Sequence, residues 1–176
     1  YALPEQALRN AARIMQEGGA QMVKLEGGAE QVRTVEFLAS RDIPVCAHLG
    51  LTPQSIHKLG GFRVQGREEA AARKMLADAL TLQNAGADIV LLECVPTALG
   101  AEITSELSVP VIGIGAGPDV DGQILVLYDI IGVTPGRKPR FARDFMAETG
   151  SPLDAVSAYV AAVKDGSYPA PEHCFS

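Results

Sequence analysis

Two oppositely charged side chains stand two residues apart where a short apolar run ends. Lys24 and Glu26 alternate with Val23 and Leu25, and a Gly-Gly pair follows them. Successive side chains of a β-strand point to opposite faces, so Lys24 and Glu26 would emerge side by side at the carboxyl end of a strand. The pair is therefore either part of a site or an ion pair that only caps the strand.

Three further apolar runs carry unusual residues where a predicted strand ends. The second run ends at His48, the third carries Glu93 near its end, and the fourth passes into a series of glycines, Gly113, Gly115 and Gly117. Ligands of parallel α/β proteins bind at the carboxyl ends of the strands. Four consecutive strands with such ends indicate one shared site.

Each of these residues also has a purely structural interpretation. A single histidine such as His48 is often a hydrogen-bonded core residue. Glu93 follows Ile-Val-Leu-Leu, where a carboxylate is costly to bury without a partner, and this favours a role as a general base. The glycine series is similar to a dinucleotide-binding fingerprint, but no acidic residue follows it at the end of a next strand, about 20 positions on. These glycines either make room for a ligand or allow tight packing between a strand and a loop.

The strand ends together offer one cation, two carboxylates and one imidazole, beside an apolar wall of Ile112, Ile114 and Val95. Mg²⁺ usually binds one or two protein carboxylates together with substrate oxygens. A metal ion and a lysine would stabilise the enolate of a 2-oxo acid. In that chemistry, Glu93 would remove the proton next to the carbonyl carbon.

Helical and extended patterns alternate along most of the chain. Helices are predicted over residues 4–18, 30–40, 68–85 and 96–107, and strands over 22–26, 43–48, 88–95, 109–117 and 123–128. Two short helices are predicted within residues 139–165, followed by a Pro-rich tail on the surface. Near-continuous apolar strands separated by helices indicate an α/β fold with a parallel sheet covered on both faces.

The connection over residues 49–66 is long and has little periodicity. Lys58, Arg63 and the adjacent Arg67 give it a basic bias in an otherwise acidic protein. Long ordered connections in compact domains tend to be functional. The segment is therefore either a functional loop or a solvated surface loop.

The composition argues against several classes of protein. The 176 residues are 47% hydrophobic and 20% charged, which is typical of a globular protein with one sizeable core. The net charge of -6 argues against a nucleic-acid or anionic-membrane partner, and no apolar run is long enough for a transmembrane helix. Three cysteines without a CxxC spacing, and an N-terminus unlike a signal peptide, predict buried thiols in a reducing, cytoplasmic setting.

Several runs of residues carry a family resemblance. MVKLEGG, PVCAHLGLTPQS, GGFRVQGR, LLECVP, PVIGIGAG and DGQILVLYD closely resemble the ketopantoate hydroxymethyltransferase (3-methyl-2-oxobutanoate hydroxymethyltransferase) family. The resemblance extends from Tyr1 to the C-terminus. The GGFRVQGR and HLGLTPQS runs are specific to that family.

The resemblance implies a fold, an activity and a set of roles. The fold is a (β/α)₈ TIM-type barrel that binds Mg²⁺ and forms a homo-oligomer, commonly a decamer. The activity is transfer of a hydroxymethyl group from 5,10-methylenetetrahydrofolate to 3-methyl-2-oxobutanoate in pantothenate synthesis. By resemblance, Glu93 is the proton acceptor, Lys24 binds the oxo acid, Glu26 belongs to the metal site and His48 lines the pocket.

The chain has about five predicted strands, whereas a closed barrel of this kind needs eight. We therefore expect residues 1–176 to supply about strands 4–8 of the barrel with their helices, without strands 1–3. An open sheet of this kind exposes two edges and an apolar face, so the segment alone is expected to be neither stable nor active. The alternatives are a related metal-dependent 2-oxo-acid lyase or aldolase of the phosphoenolpyruvate/pyruvate barrel type, or an inactive fragment.

Overall fold

Five strands form one sheet, and each strand lies next to the one that follows it in the chain. The structure is a computed structural model that describes all residues from Tyr1 to Ser176. The strands are β1 (Val23–Glu26), β2 (Val45–Gly50), β3 (Ile89–Glu93), β4 (Val111–Ile114) and β5 (Gly122–Gln123). The helices are α1 (Pro4–Gln16), α2 (Val32–Ala39), α3 (Ile56–Leu59), α4 (Glu69–Asn84), α5 (Thr97–Glu106), α6 (Leu127–Ile130) and α7 (Pro152–Lys164). All four strand pairs are parallel, so the predicted α/β fold is confirmed.

The strand order shows how the sheet is wound. It runs β1-β2-β3-β4-β5 without a reversal. Crossovers between parallel strands are right-handed, so helices change face only where the strand order reverses. The connecting helices therefore lie on one face of the sheet, which is the winding of a β/α barrel and not of a doubly wound open sheet.

Alternate strand residues pack into two different clusters, as a period of two requires. One cluster joins the helix-facing residues to α1, α2, α4 and α5; its sheet members include Leu25, Ala47, Val90 and Val111. The other joins Cys46, Leu91 and Ile114, on the opposite face, to aromatic residues near the C-terminus. Both faces of the sheet therefore carry apolar packing.

Local sequence signals set the helix limits. The Ser151 side chain accepts a hydrogen bond from the Asp154 N–H at 3.2 Å, and Pro152 occupies the first position of α7, where the missing N–H of proline costs nothing. Pro4 likewise begins α1. None of the helices combines the length and the apolar character that a membrane crossing would need.

The fifth strand is shorter than predicted. Within residues 123–128, only Gln123 belongs to β5, and the chain turns into α6 at Leu127. Only β4 pairs with this edge strand, so few backbone hydrogen bonds hold it in an extended conformation. The helical turn instead buries Ile130, whose carbonyl accepts a hydrogen bond from the Phe145 N–H at 2.9 Å. The apolar run was wrongly interpreted as a continuous strand.

Aromatic packing shapes the C-terminal part of the chain, from residue 139 onwards, in a way that the sequence pattern does not predict. Of the two helices predicted within residues 139–165, only α7 forms, and a single 3₁₀ turn over Met146–Glu148 replaces the first. The tail does not simply run along the surface. Tyr168 is buried, donates its hydroxyl proton to the Phe141 carbonyl, and packs edge-to-face with Phe145 and Tyr159.

Candidate active site

Three neighbouring strands bring the four predicted site residues to one edge of the sheet. Glu26 on β1 lies beside His48 on β2, and Glu93 on β3 lies beside Gly50, two residues further along β2. Lys24 precedes Glu26 by two residues, so it shares the same face. Residues in register on parallel strands also share a face. Lys24, Glu26, His48 and Glu93 therefore project from one face, towards the carboxyl ends of the strands.

A line of short distances connects the four side chains. The Lys24 Nζ lies 3.3 Å from the Glu26 Oε1 and 3.2 Å from the His48 Nδ1. On the other side of the ring, the His48 Nε2 lies 3.2 Å from the Glu93 Oε2. His48 thus stands between the lysine and the second carboxylate.

The tautomer of the neutral His48 ring follows from its neighbours. A charged lysine only donates hydrogen bonds, so the Nδ1 atom must accept, and the proton of the neutral ring then lies on Nε2. The Nε2 atom is buried and close to Glu93, yet the geometry of the pair does not complete a hydrogen bond. Such an unpaired buried donor is uncommon, and it is available to an oxygen of a bound substrate.

The four groups differ in their access to solvent. His48 is 2% exposed and Glu26 is 8% exposed, whereas the side chains of Glu93 and Lys24 are 15% and 44% exposed. The network is therefore buried at His48 and opens towards Lys24. A small anion entering from solvent would meet the ammonium group first.

Glu26 is held from both its main chain and its side chain. Its Oε2 accepts a hydrogen bond from the Gln54 N–H at 3.0 Å, and its own N–H donates to the Tyr1 hydroxyl at 2.8 Å. With Lys24 on Oε1, both carboxylate oxygens have a donor. Sequence reasoning missed Gln54 and Tyr1, because neither a backbone amide nor a contact 25 residues away has a local signal.

A metal site is not complete among these residues. No three of the chain's histidine, cysteine, aspartate and glutamate side chains are grouped so that they could hold a metal ion. Glu26 offers one carboxylate, which matches only part of the oxygen-rich set that Mg²⁺ takes. The residues present therefore do not by themselves fit a magnesium site.

The backbone around Glu93 is tightly fixed. Its carbonyl accepts a hydrogen bond from the Leu51 N–H at 2.8 Å. Cys94, the next residue, has a φ of 49°, which is unfavourable for a residue with a side chain. Its N–H and carbonyl are both used, by the Ile114 carbonyl and the Gln65 N–H, each at 2.9 Å. The chain thus turns sharply directly after Glu93 and is held in that turn.

The turn at Cys94 explains an incorrect prediction. Val95 was predicted to share a pocket wall with Ile112 and Ile114. The strand ends at Glu93, and the left-handed conformation of Cys94 breaks the alternation. Val95 is buried in the helix-side cluster instead, whereas Ile114 belongs to the cluster on the site face.

Cys46 and Cys94, the two thiols nearest the site, are not reactive at neutral pH. Burial raises the pKa of Cys46 to about 11, partly offset by the charge of Lys24. Burial, and then the charge of Glu93, raise the pKa of Cys94 to about 12. Because the thiolate is the reactive form, neither cysteine is suited to act as a nucleophile at neutral pH. The predicted burial of these two thiols is confirmed.

The glycines after β4 lie in close contact with side chains of the protein itself. A Cβ atom on Gly115 would stand 2.8 Å from the Phe141 ring, and one on Gly117 would stand 2.5 Å from Thr97. Both glycines also have positive φ values. Of the two interpretations of this series, tight packing is the one that the structure favours.

Known proteins resemble this chain along nearly its whole length. A family model described as ketopantoate hydroxymethyltransferase matches residues 1–171. A 3-methyl-2-oxobutanoate hydroxymethyltransferase of Alkalilimnicola ehrlichii is 65% identical over 175 residues, which are 99% of this chain and 63% of that protein. Proteins of the same name from Halorhodospira halophila and Nitrosococcus oceani are 62% and 59% identical, over 97% and 96% of this chain. The chain spans 62% to 64% of the length of these three curated relatives. It belongs to the ketopantoate hydroxymethyltransferase family.

Proposed function

We propose that the protein transfers a hydroxymethyl group from 5,10-methylenetetrahydrofolate to 3-methyl-2-oxobutanoate, giving 2-dehydropantoate. The observation that carries this proposal is the line Lys24–His48–Glu93, which places a cation, an imidazole and a carboxylate on one sheet edge. These are the groups that forming and using an enolate of a 2-oxo acid requires. The names of the relatives support the same substrate.

Each residue has a defined task in this proposal. The half-exposed Lys24 ammonium binds the anionic oxo acid. The Glu93 carboxylate takes the proton from C3 of the acid, and the unpaired Nε2–H of His48 is in place to donate to an oxygen of the enolate. The new C–C bond joins C3 to the methylene carbon of the donor, and the bonds from that carbon to N5 and N10 break. Water supplies the hydroxyl group, and tetrahydrofolate leaves with the proton from C3 and the second proton of water.

Magnesium is part of the proposal only as a partner of Glu26. When bound, it would supply Lewis-acid stabilisation of the enolate oxygen. Glu26 would be one ligand, and the remaining ligands would come from substrate, water or residues outside this chain. No step above depends on it. Four other expectations stay predictions. They are the homo-oligomer, its decameric number, the cytoplasmic location, and the assignment of residues 1–176 to barrel strands 4–8.

The test is exchange of the C3 proton of 3-methyl-2-oxobutanoate in deuterium oxide, followed by proton NMR without any folate. In the full-length protein, Glu93→Gln should slow this exchange by about 10²- to 10⁴-fold, the usual contribution of a general base. The substitution keeps size and hydrogen-bonding capacity, so the thermal midpoint should change little. Exchange at the wild-type rate in this variant would remove Glu93 from its role.

Addition of the one-carbon donor separates the transferase from a lyase of the same barrel type. A transferase should form 2-dehydropantoate only when methylenetetrahydrofolate is present, at the expense of the oxo acid. A lyase should instead cleave or condense a different 2-oxo acid without the donor. Product analysis by mass spectrometry under both conditions decides between them.

A further inference from the structure

The connection from β2 to α4 is fastened at two points, one on each side of the active site. At its start, the Gln54 N–H donates to the Glu26 carboxylate at 3.0 Å. At its end, the Gln65 N–H donates to the carbonyl of Cys94 at 2.9 Å, directly after Glu93. Since β1 and β3 flank β2, the residues between these two anchors cross the carboxyl edge where the site lies. We call residues 56–64 the crossing segment.

The crossing segment is held down by one side chain and presents others to solvent. Leu59 packs against the cluster on the site face of the sheet, whereas Phe62 is 78% exposed. The other four phenylalanines of the chain are buried or half-buried. A ring that is held out into water beside a site is free to stack on a bound molecule.

The same segment carries cations without a close counterion. Lys58 and Arg63 are exposed, and neither is in a salt bridge. Glu30 is the acidic group near enough to feel the charge of Lys58. In a protein with a net charge of -6, a local positive surface beside the site attracts an anion.

We infer that the crossing segment binds the aminobenzoyl-glutamate part of the one-carbon donor. This inference rests on the function proposed above. Phe62 stacks on the aminobenzoyl ring, and Lys58 and Arg63 contact the glutamate carboxylates. The oxo acid is too small to use these groups, because it has one carboxylate and no ring. The donor has a benzoyl ring attached to N10, next to its reactive carbon, and two glutamate carboxylates further from that carbon.

The experiment separates the two halves of the reaction in the full-length protein. We expect Phe62→Ala, and separately the double variant Lys58→Ala with Arg63→Ala, to raise the KM for methylenetetrahydrofolate by about fivefold. Exchange of the C3 proton without donor should stay within twofold of wild type, because the segment does not contact the oxo acid. Phe62→Tyr should restore the wild-type KM.

A donor without its glutamate sharpens the assignment. With the primary amide of 5,10-methylenetetrahydropteroate, which has no carboxylate, the effect of removing Lys58 and Arg63 should disappear, whereas the effect of Phe62→Ala should remain. Leu153→Ala and Arg41→Ala are matched controls. Leu153 is an exposed apolar residue on α7. Arg41 is an exposed cation that precedes β2, at the amino ends of the strands and so away from the site. Neither control should change the donor KM.

Three outcomes would overturn the inference. The donor KM could be unchanged in both variants, or proton exchange could fall as much as the full reaction, or size-exclusion chromatography could show that Phe62→Ala changes only the oligomeric state. A failure of the proposed function itself looks different. The wild-type protein would then show neither C3 exchange nor donor-dependent product, whatever the crossing segment does.

Discussion

Two regions at the carboxyl edge of the sheet are built in opposite ways. At the ends of β1, β2 and β3, charged and titratable side chains meet, and one buried nitrogen, the Nε2 of His48, has no hydrogen-bond partner. At the end of β4, glycines make room for other side chains of the protein: Phe141 closes over Gly115, and Thr97 lies against Gly117. The first region keeps polar groups that a ligand can complete. The second region is filled by the chain's own side chains.

Glycine has a different role in each of the two regions. At Gly50, the absence of a side chain leaves room for the main chain of Glu93, because a Cβ there would stand 2.2 Å from the Glu93 carbonyl oxygen. At Gly115, it leaves room for the ring of Phe141 instead. The first glycine allows the close approach of the Glu93 main chain, and the second allows a packed layer. Substitutions at the two positions should therefore have different consequences.

The largest expected effect is that of Gly50→Ala. The residue has a φ of 90°, and the clash is with backbone, which cannot swing aside. We expect the free energy of unfolding to fall by roughly 3 kcal/mol or more. Urea unfolding of the full-length protein measures this loss, and the C3 exchange rate per folded molecule should fall with it, because Glu93 must move. A variant with wild-type stability and exchange would show that this close approach is not needed.

Gly115→Ala should cost less and should leave the chemistry intact. Its φ of 65° and the contact with a side chain that can shift predict a loss of about 2 kcal/mol in the free energy of unfolding. The exchange rate per folded molecule should stay at the wild-type value. A specific loss of exchange here would mean that β4 contributes to the site, and the contrast between the two regions would fail.

The alternation of residues was enough to predict which side chains meet, but not how the chain leaves the strands. Lys24, Glu26, His48 and Glu93 follow from a period of two and from strand ends that share an edge. The position of Val95 was predicted wrongly, because a period of two assumes a continuous strand and the left-handed turn at Cys94 has no sequence signature. Tyr1 and Gln54 act on Glu26 through tertiary contacts, which no local pattern contains.

The same limit explains the errors near the C-terminus. An apolar run such as Ile124 to Tyr128 is compatible with a strand or a helical turn, and tertiary packing of Ile130 selects the turn. The family's fold is a TIM barrel, and the five parallel strands of this chain represent part of it. The clear alternation of strand and helix periods up to β4 predicted the parallel α/β sheet, whereas the barrel was implied by the family resemblance.

A matched pair of cysteine substitutions tests the turn after Glu93. Cys46 lies within β2, whereas Cys94 has a positive φ. Valine is β-branched and suits a strand, but it strongly disfavours the left-handed region. We expect Cys94→Val to lower the free energy of unfolding by about 1–3 kcal/mol and to slow C3 exchange. Cys46→Val should change both by little, and equal effects at the two sites would show that the turn carries no special strain.

The smallest expected effect is a loss of stability at alkaline pH that the buried thiols cause. Burial raises the pKa of Cys46 from 9.0 to about 11 and that of Cys94 to about 12. Between pH 9 and the folded pKa, the unfolded chain releases these protons while the folded chain keeps them, so raising the pH favours unfolding. The stabilisation is complete below pH 9 and falls by roughly 1 kcal/mol per thiol and per pH unit above it. Urea unfolding at pH 8 and pH 10 should therefore show a smaller alkaline loss for Cys46→Val than for wild type. Equal losses would mean that the Cys46 thiol, beside the charged network, is more open to water than its packing indicates.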